Sequence, residues 1–222
     1  MKPAARIGIF GGTFNPIHLG HLRAAEEVLE ALGLERMWFV PSGEPPHKSA
    51  RAGDPIAPAA QRLAWVKAAI ADNPRFALES VEVERAGTSY SVETLRTLGA
   101  RIAPELPVFV IGIDAFAEVG TWREPEALFT LAHFAVITRP GHRTRTAEPW
   151  LPARVRGEFE LAADGGEATH RRAGTWVRRL EIAALDISAS DIRARLRSGR
   201  SVRYLLPESI EETVLRSRVY AG

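Results

Sequence analysis

Eleven consecutive residues carry the densest chemistry in the chain: Gly11-Gly12-Thr13-Phe14-Asn15-Pro16-Ile17-His18-Leu19-Gly20-His21. Glycines let backbone N–H groups approach a phosphate closely, and a helix beginning inside the string adds partial positive charge there. His18 and His21 lie three apart at that helix start, so both imidazoles can face one side. Gly20 between them leaves space for a nucleotide. The whole string suits a phosphate. Piece by piece, Gly-Gly is also an ordinary turn and one histidine an ordinary cap.

A second string, Ile187-Ser188-Ala189-Ser190-Asp191-Ile192-Arg193, stands near the C-terminus. Ser188 with Asp191 three residues later reads as a capping-box-like helix start, with Ser190 an alternative N-cap. Arg193 falls within a turn of that start, so amides, hydroxyls and a guanidinium converge on a place suited to phosphate; a plain capped surface helix is the other reading. Further segments follow apolar runs: Pro41-Ser42-Gly43-Glu44-Pro45-Pro46-His47-Lys48, Ser89-Tyr90-Ser91-Val92, Ile111-Gly112-Ile113-Asp114 with Trp122 beyond it, Thr138-Arg139-Pro140-Gly141, and Tyr204-Leu205-Leu206-Pro207. His47 and Lys48 offer two cationic or hydrogen-bonding groups to a second phosphate, or belong to a solvated loop. Asp114 caps the helix after Ile113 or holds a ribose hydroxyl. Trp122 is core or stacks on an aromatic ring. Ser89 and Ser91 are N-caps, or the amides of their helix start receive a carboxylate.

These residues need a scaffold, and the hydrophobic pattern supplies one. Ile7–Phe10, Met37–Val40, Val108–Ile111 and Phe134–Ile137 read as short buried strands, with weaker strand signals at 76–78, 81–83 and 180–187. Helical periods follow from Gly20 (Leu22, Ala25, Val28, Leu29, Leu32, with Gly33 as the stop), over 60–71 with Leu63, Val66 and Ile70 inward, and over 91–98, 125–132, 190–198 and 207–218. Residues 139–174 are poorly patterned apart from a turn at Gly165-Gly166. The alternation predicts an α/β protein, a Rossmann-like doubly wound and mostly parallel sheet with helices on both faces. Ligands of such sheets bind beyond the carboxyl ends of the strands, which is where the motifs fall. Residues 1–222 are expected to form a single domain, with 187–222 as a C-terminal helical part.

Composition narrows the classes. At 45% hydrophobic and 25% charged residues, wholesale disorder is excluded, and without cysteine there is no disulfide framework, thiol nucleophile or cysteine zinc site. No apolar run approaches the roughly 18 residues of a membrane span, so the expected location is the cytoplasm. The balance of 29 Lys+Arg against 27 Asp+Glu gives a net charge of +2, and the sequence pI of 9.3 reflects mainly arginine. The excess is concentrated beyond residue 138, which fits an anionic ligand, nucleic acid or simply surface arginine. A nucleic-acid module predicts aromatics interleaved with the arginines, but Trp150, Phe159, Trp176, Tyr204 and Tyr220 are scattered.

Together the two strings resemble the HxGH and ISxxxxR signatures of a nucleotidyltransferase superfamily that includes adenylyltransferases of NAD, coenzyme A and FMN synthesis and several cytidylyltransferases. With the further segments, the chain resembles bacterial nicotinate-mononucleotide adenylyltransferases over nearly its whole length. Ser91 stands where that family commonly has threonine, Arg123 follows Trp122 where tyrosine is frequent, and 142–176 matches no motif. The resemblance implies transfer of AMP from ATP to nicotinate mononucleotide, giving nicotinate adenine dinucleotide and pyrophosphate. It implies His18, His21 and Arg193 as catalytic, and Gly11, Gly12, Thr13, Phe14, Gly112, Asp114, Arg139, Ser188 and Ser190 as ATP-binding. His47, Lys48, Ser89, Tyr90, Ser91 and Trp122 would surround the mononucleotide. Mg²⁺ would arrive on the ATP phosphates, with no dedicated protein metal site. Other acceptors within the superfamily are phosphopantetheine and nicotinamide mononucleotide; the phosphopantetheine family typically is shorter and lacks the Pro-Pro-His-Lys and Ser-Tyr segments.

Overall fold

The computed structural model describes residues 7–45, 55–138, 150–183 and 185–221. Strands β1 (Ile7–Gly12), β2 (Arg36–Pro41), β3 (Phe76–Leu78), β4 (Val108–Gly112), β5 (His133–Thr138), β6 (Phe159–Leu161), β7 (Glu167–His170) and β8 (Trp176–Glu181) form one sheet. Their order is β3-β2-β1-β4-β5-β8-β7-β6, and all neighbours are parallel except β6 with β7 and β7 with β8. The chain winds outward from β1 to β3 and then returns to place β4 on the other side of β1. That reversal opens a crevice at the carboxyl ends of β1 and β4.

Alternation along the central strands explains the layers, because successive side chains point to opposite faces. Phe10, Val108 and Val110 face a core shared with α1 (Leu19–Leu32) and α2 (Ala59–Ala69). Ile9, Phe109 and Ile111 face another core, shared with α4 (Ser91–Gly99), α5 (Ile113–Ala117) and α6 (Pro125–Leu131), which follow the short α3 (Val81–Glu84). After α7 (Ala153–Arg156), the last helices α8 (Ala189–Arg197) and α9 (Glu208–Ser217) return to the first core through Ile192, Ile210 and Val214. Both faces are covered, so the inner strands read as continuous apolar runs.

Three expectations need correction. Residues 81–83 are helix, not strand: Val-Glu-Val satisfies either period, and Glu82 is the member that turns inward. The last strand is Trp176–Glu181, not 180–187, set by its pairing with β5 from Phe134 to Thr138. The poorly patterned stretch contains α7 and the β6–β7 hairpin, whose turn includes the expected Gly165-Gly166; strands this short give little periodic signal. By contrast, α1 buries Ala25, Val28 and Leu29 and closes at Gly33, where φ is +62°.

Candidate active site

A cavity of about 810 Å³ occupies the crevice. Gly11, Gly12 and Thr13 from the end of β1, Ile111 and Gly112 from the end of β4, and Ser89, Tyr90, Ser91 and Trp122 all line it. Eight expected site residues, from 11–13, 89–91, 112 and 122, thus line one cavity. His47, Lys48 and Arg139 lie outside the described residues.

Neither His18 nor His21 is among the residues that line this cavity; both belong to the start of α1, beyond the loop that follows β1. His18 is its N-cap, with extended backbone (φ −147°, ψ 169°). The His18 N–H donates to Nδ1 of His21 at 3.2 Å, and the two rings stack with centroids 3.7 Å apart. Because Nδ1 of His21 is the acceptor, the neutral imidazole carries its proton on Nε2, which is therefore a donor. Phe14, buried and with φ of +46°, sets its ring edge-on against His21 at 5.1 Å. The Phe14 side chain thus shapes the pair of histidines. Gly20 also permits a close approach within the protein. A Cβ there would meet the His18 ring at 3.1 Å and the Ile187 carbonyl at 3.4 Å, so the missing side chain makes room for the protein itself.

That close approach brings the C-terminal string to the first one. Ser188, not Ser190, is the N-cap of α8; its Oγ accepts from the Asp191 N–H at 3.1 Å and stands 3.2 Å from the Ser190 hydroxyl. One turn on, Arg193 donates through Nη1 to the Asn15 carbonyl at 2.8 Å. The Leu19 N–H donates to the Leu205 carbonyl at 3.1 Å, so the Tyr-Leu-Leu-Pro segment also closes on the start of α1.

The start of α4 lines the cavity directly. Its N-cap is Tyr90, so neither Ser89 nor Ser91 acts as the cap. Ser89 is buried and its Oγ accepts from the Gly43 N–H at 3.0 Å. The amides of Ser91 and Val92, at the first turn, have no acceptor among the described residues. Trp122 is half-buried, with one side on the second core and the other in the cavity. Arg123, the departure from the family pattern, sets its guanidinium 4.6 Å above the Tyr90 ring and pairs with Glu93 at 3.3 Å. Gly112 caps α5, which leaves Asp114 exposed in the first turn instead of at the cap.

Three further residues shape the site: Arg62 and Glu82, which carry no motif, and Asn15, which lies inside the first string. Arg62 of α2 is 1% exposed and binds loop carbonyls on both sides of the crevice. Asn15 is buried; its Nδ2 donates to the Pro55 carbonyl, and its Oδ1 accepts from the Ala57 N–H and the Tyr220 hydroxyl. Glu82 lines the cavity and accepts from the Thr94 hydroxyl at 2.6 Å. Burial pushes its carboxyl pKa up, against the lowering effects of Thr94, Arg85, Ser89 and Arg62. The signal available for Arg62 is its place one residue from the expected inward Leu63; its partners are all backbone carbonyls, and two of them, at Thr13 and Gly43, are distant in sequence. Among the described residues, no cluster of three or more His, Cys, Asp or Glu side chains is placed to hold a metal ion, and no helix is long and apolar enough to cross a membrane.

The comparisons with known proteins agree with this geometry. A family model described as Cytidylyltransferase-like matches residues 9–195, from the first strand through both motif-bearing helix starts, and the enzyme class is that of a nucleotidyltransferase. A relative from Geotalea daltonii is 43% identical over 97% of this chain and 98% of its own, and one from Symbiobacterium thermophilum is 40% identical over 97% and 95%. Both carry the name nicotinate-nucleotide adenylyltransferase, and the chain belongs to that family. Its fold matches the solved Plasmodium falciparum nicotinic acid mononucleotide adenylyltransferase complexed with NaAD, with a TM-score of 0.70 at 16% identity over 96% of each chain.

Proposed function

We propose that this enzyme transfers AMP from ATP to nicotinate mononucleotide. The observation that carries the reading is the meeting, at one crevice, of a phosphate-type loop and a cavity lined by two helix-start amides with no acceptor among the described residues. The mononucleotide phosphate oxygen attacks the α-phosphorus in line; the bond from that phosphorus to the bridging oxygen breaks, and pyrophosphate leaves. No protein nucleophile is required, so the protein contributes position and charge. His18 and His21 stabilise the charge that develops on the leaving pyrophosphate. Arg193, Ser188 and Ser190 hold its β/γ end, while Gly11, Gly12, Thr13 and the Phe14 backbone cradle the donor. Gly112, Asp114 and Arg139 border the adenosine. Mg²⁺ belongs to the nucleotide substrate in this reading. The chain works in the cytoplasm as a single domain in which 187–222 completes the donor site.

Acceptor choice follows from the start of α4. Nicotinate carries a carboxylate where nicotinamide carries a neutral amide of nearly the same size, so shape cannot separate them. The Ser91 and Val92 amides and the helix-start dipole favour the carboxylate, whereas an amide turns its NH₂ toward donors and leaves them unpaired. Trp122 and Tyr90 hold the ring, Ser89 fixes the loop beside it, and His47 and Lys48 bind the mononucleotide phosphate. A coupled assay with nicotinate mononucleotide, nicotinamide mononucleotide and phosphopantetheine as acceptors tests the reading. The first is expected to lead the second by at least about 100-fold in kcat/KM, roughly 2.7 kcal/mol. Equal use of the two pyridine nucleotides would refute the carboxylate argument; use of phosphopantetheine alone would refute the acceptor class.

A further inference from the structure

The three polar nitrogens of the Arg62 guanidinium reach three places in the loops around the crevice. Nη1 donates to the Thr13 carbonyl at 2.7 Å, Nη2 to the Gly43 carbonyl at 2.9 Å, and Nε to the Ala57 carbonyl at 2.9 Å. Each partner is a backbone carbonyl. Burial lowers the Arg62 pKa, opposed by Tyr220 and Glu82, so the fold keeps a cation where desolvation disfavours it. A buried apolar side chain would avoid that cost if packing were all the position required.

The bridged loops belong to different halves of the site. Thr13 lies in the donor loop after β1. Gly43 lies in the loop after β2, and its N–H donates to Ser89 Oγ beside the acceptor helix. The run Thr13–Arg62–Gly43–Ser89 is therefore a continuous hydrogen-bonded path from the donor loop to the acceptor helix start, with a parallel link from the Ser42 N–H to the Gly12 carbonyl at 2.9 Å.

We propose that Arg62 is a positioning residue that fixes the donor loop against the acceptor loop, and so sets the distance between the attacking phosphate and the α-phosphorus. The proposal rests on the adenylyl-transfer reading above. In-line attack needs reacting atoms about 3–3.5 Å apart, and an error of about 1 Å can cost on the order of 100-fold. Each half-site has its own contacts, so losing the bridge should harm their mutual register more than either half alone. A planar fork spans separated carbonyls in a way that a single ammonium cannot.

The test is R62K, with R62Q beside it, measured for Tm, kcat, and the separate affinities of a non-hydrolysable ATP analogue, nicotinate mononucleotide and the product dinucleotide. R62K is expected to hold each separate ligand within about threefold of the parent, while kcat falls at least about 30-fold and dinucleotide affinity at least about tenfold. Equal losses on all ligands, or kcat and dinucleotide affinity within threefold of the parent, would overturn the proposal. If neither variant folds, hydrogen exchange on the parent decides: nicotinate mononucleotide alone should slow exchange in the donor loop at 12–14, and no such protection would overturn the coupling. A parent that forms no dinucleotide would instead overturn the functional reading.

Discussion

Gly43 gives the most direct test of how tightly the acceptor side is built. A Cβ placed on it would lie 2.2 Å from the Glu82 carbonyl oxygen and 3.1 Å from both the Glu82 carbonyl carbon and Ser89 Oγ. None of these atoms yields easily: Glu82 is in α3 with its carboxylate tied to Thr94, and Ser89 Oγ holds the Gly43 amide. Restoring ordinary contact in Gly43→Ala requires the loop and α3 to part by about 1 Å. Overpacking of this kind costs about 1–3 kcal/mol, and in a chain of this size each kcal/mol lowers Tm by roughly 2–4 °C, so a fall of about 2–12 °C is expected. The same shift moves the loop that Arg62 and Ser89 hold, so kcat/KM for the acceptor should drop by about 100-fold. Scanning calorimetry and steady-state kinetics at saturating ATP read both effects. The control is Gly99→Ala at the end of α4, where an added Cβ meets nothing within 4 Å. If Gly43→Ala matched that control in Tm and kept kcat/KM within threefold, the tight-loop argument would be wrong.

Three other outcomes follow from the same geometry. His21→Ala removes the imidazole whose Nδ1 holds the His18 amide, and kcat should fall about 100- to 1000-fold; a loss under threefold would remove His21 from the chemistry. Arg193→Ala should raise KM for ATP more than KM for the mononucleotide, because its guanidinium sits on Asn15 of the donor loop; equal effects in a folded variant would mark Arg193 as structural. Glu82→Gln should flatten part of the stability profile. Burial raises the Glu82 pKa, so between the usual carboxylate value and the raised one the folded state binds the proton more tightly than the unfolded chain, and stability falls as pH rises through that window. The Tm advantage of the glutamine variant should therefore be larger near about pH 8 than near about pH 4, and the opposite trend would contradict the assignment of burial as the cause.

What the sequence reveals here depends on whether a residue's partner is local. The His18–His21 pair and the Ser188 cap are set by helix geometry within one turn, and they could be read directly. The inner strands were legible because burial on both faces leaves uninterrupted apolar runs. Glu82 was not, because its inward turn depends on a hydroxyl at Thr94 in another helix. The face of α2 is read from Leu63, Val66 and Ile70; Val66 and Ile70 are buried, but Leu63 is only partly so, and Arg62, Trp65 and Ala69 fill the rest of the face. Polarity argues that Arg62 should face solvent; carbonyls at Thr13 and Gly43 in separate loops, with Ala57 just ahead of α2, outweigh that preference, and no local pattern encodes the two distant ones. The β6–β7 hairpin was hidden for another reason, since strands of three and four residues hold too few buried positions to show a period.

Asn15 shows why the donor loop cannot be understood from its own eleven residues. Its side chain joins the loop to Pro55 and Ala57 ahead of α2, its Oδ1 also receives the Tyr220 hydroxyl, and its carbonyl receives Arg193 from α8. A hydrogen bond of this kind contributes a net of only about 0.5–1.5 kcal/mol, but leaving a buried polar group without its partner costs about 1–3 kcal/mol. Asn15 is therefore held less by any single bond than by the penalty for leaving its buried amide unmatched. Segments before α2, in α8 and at Tyr220 must all be in place before that penalty is avoided. The shape of this loop is in this sense a property of the completed chain, because Arg193 and Tyr220 hold it from beyond residue 187 as firmly as its own neighbours do.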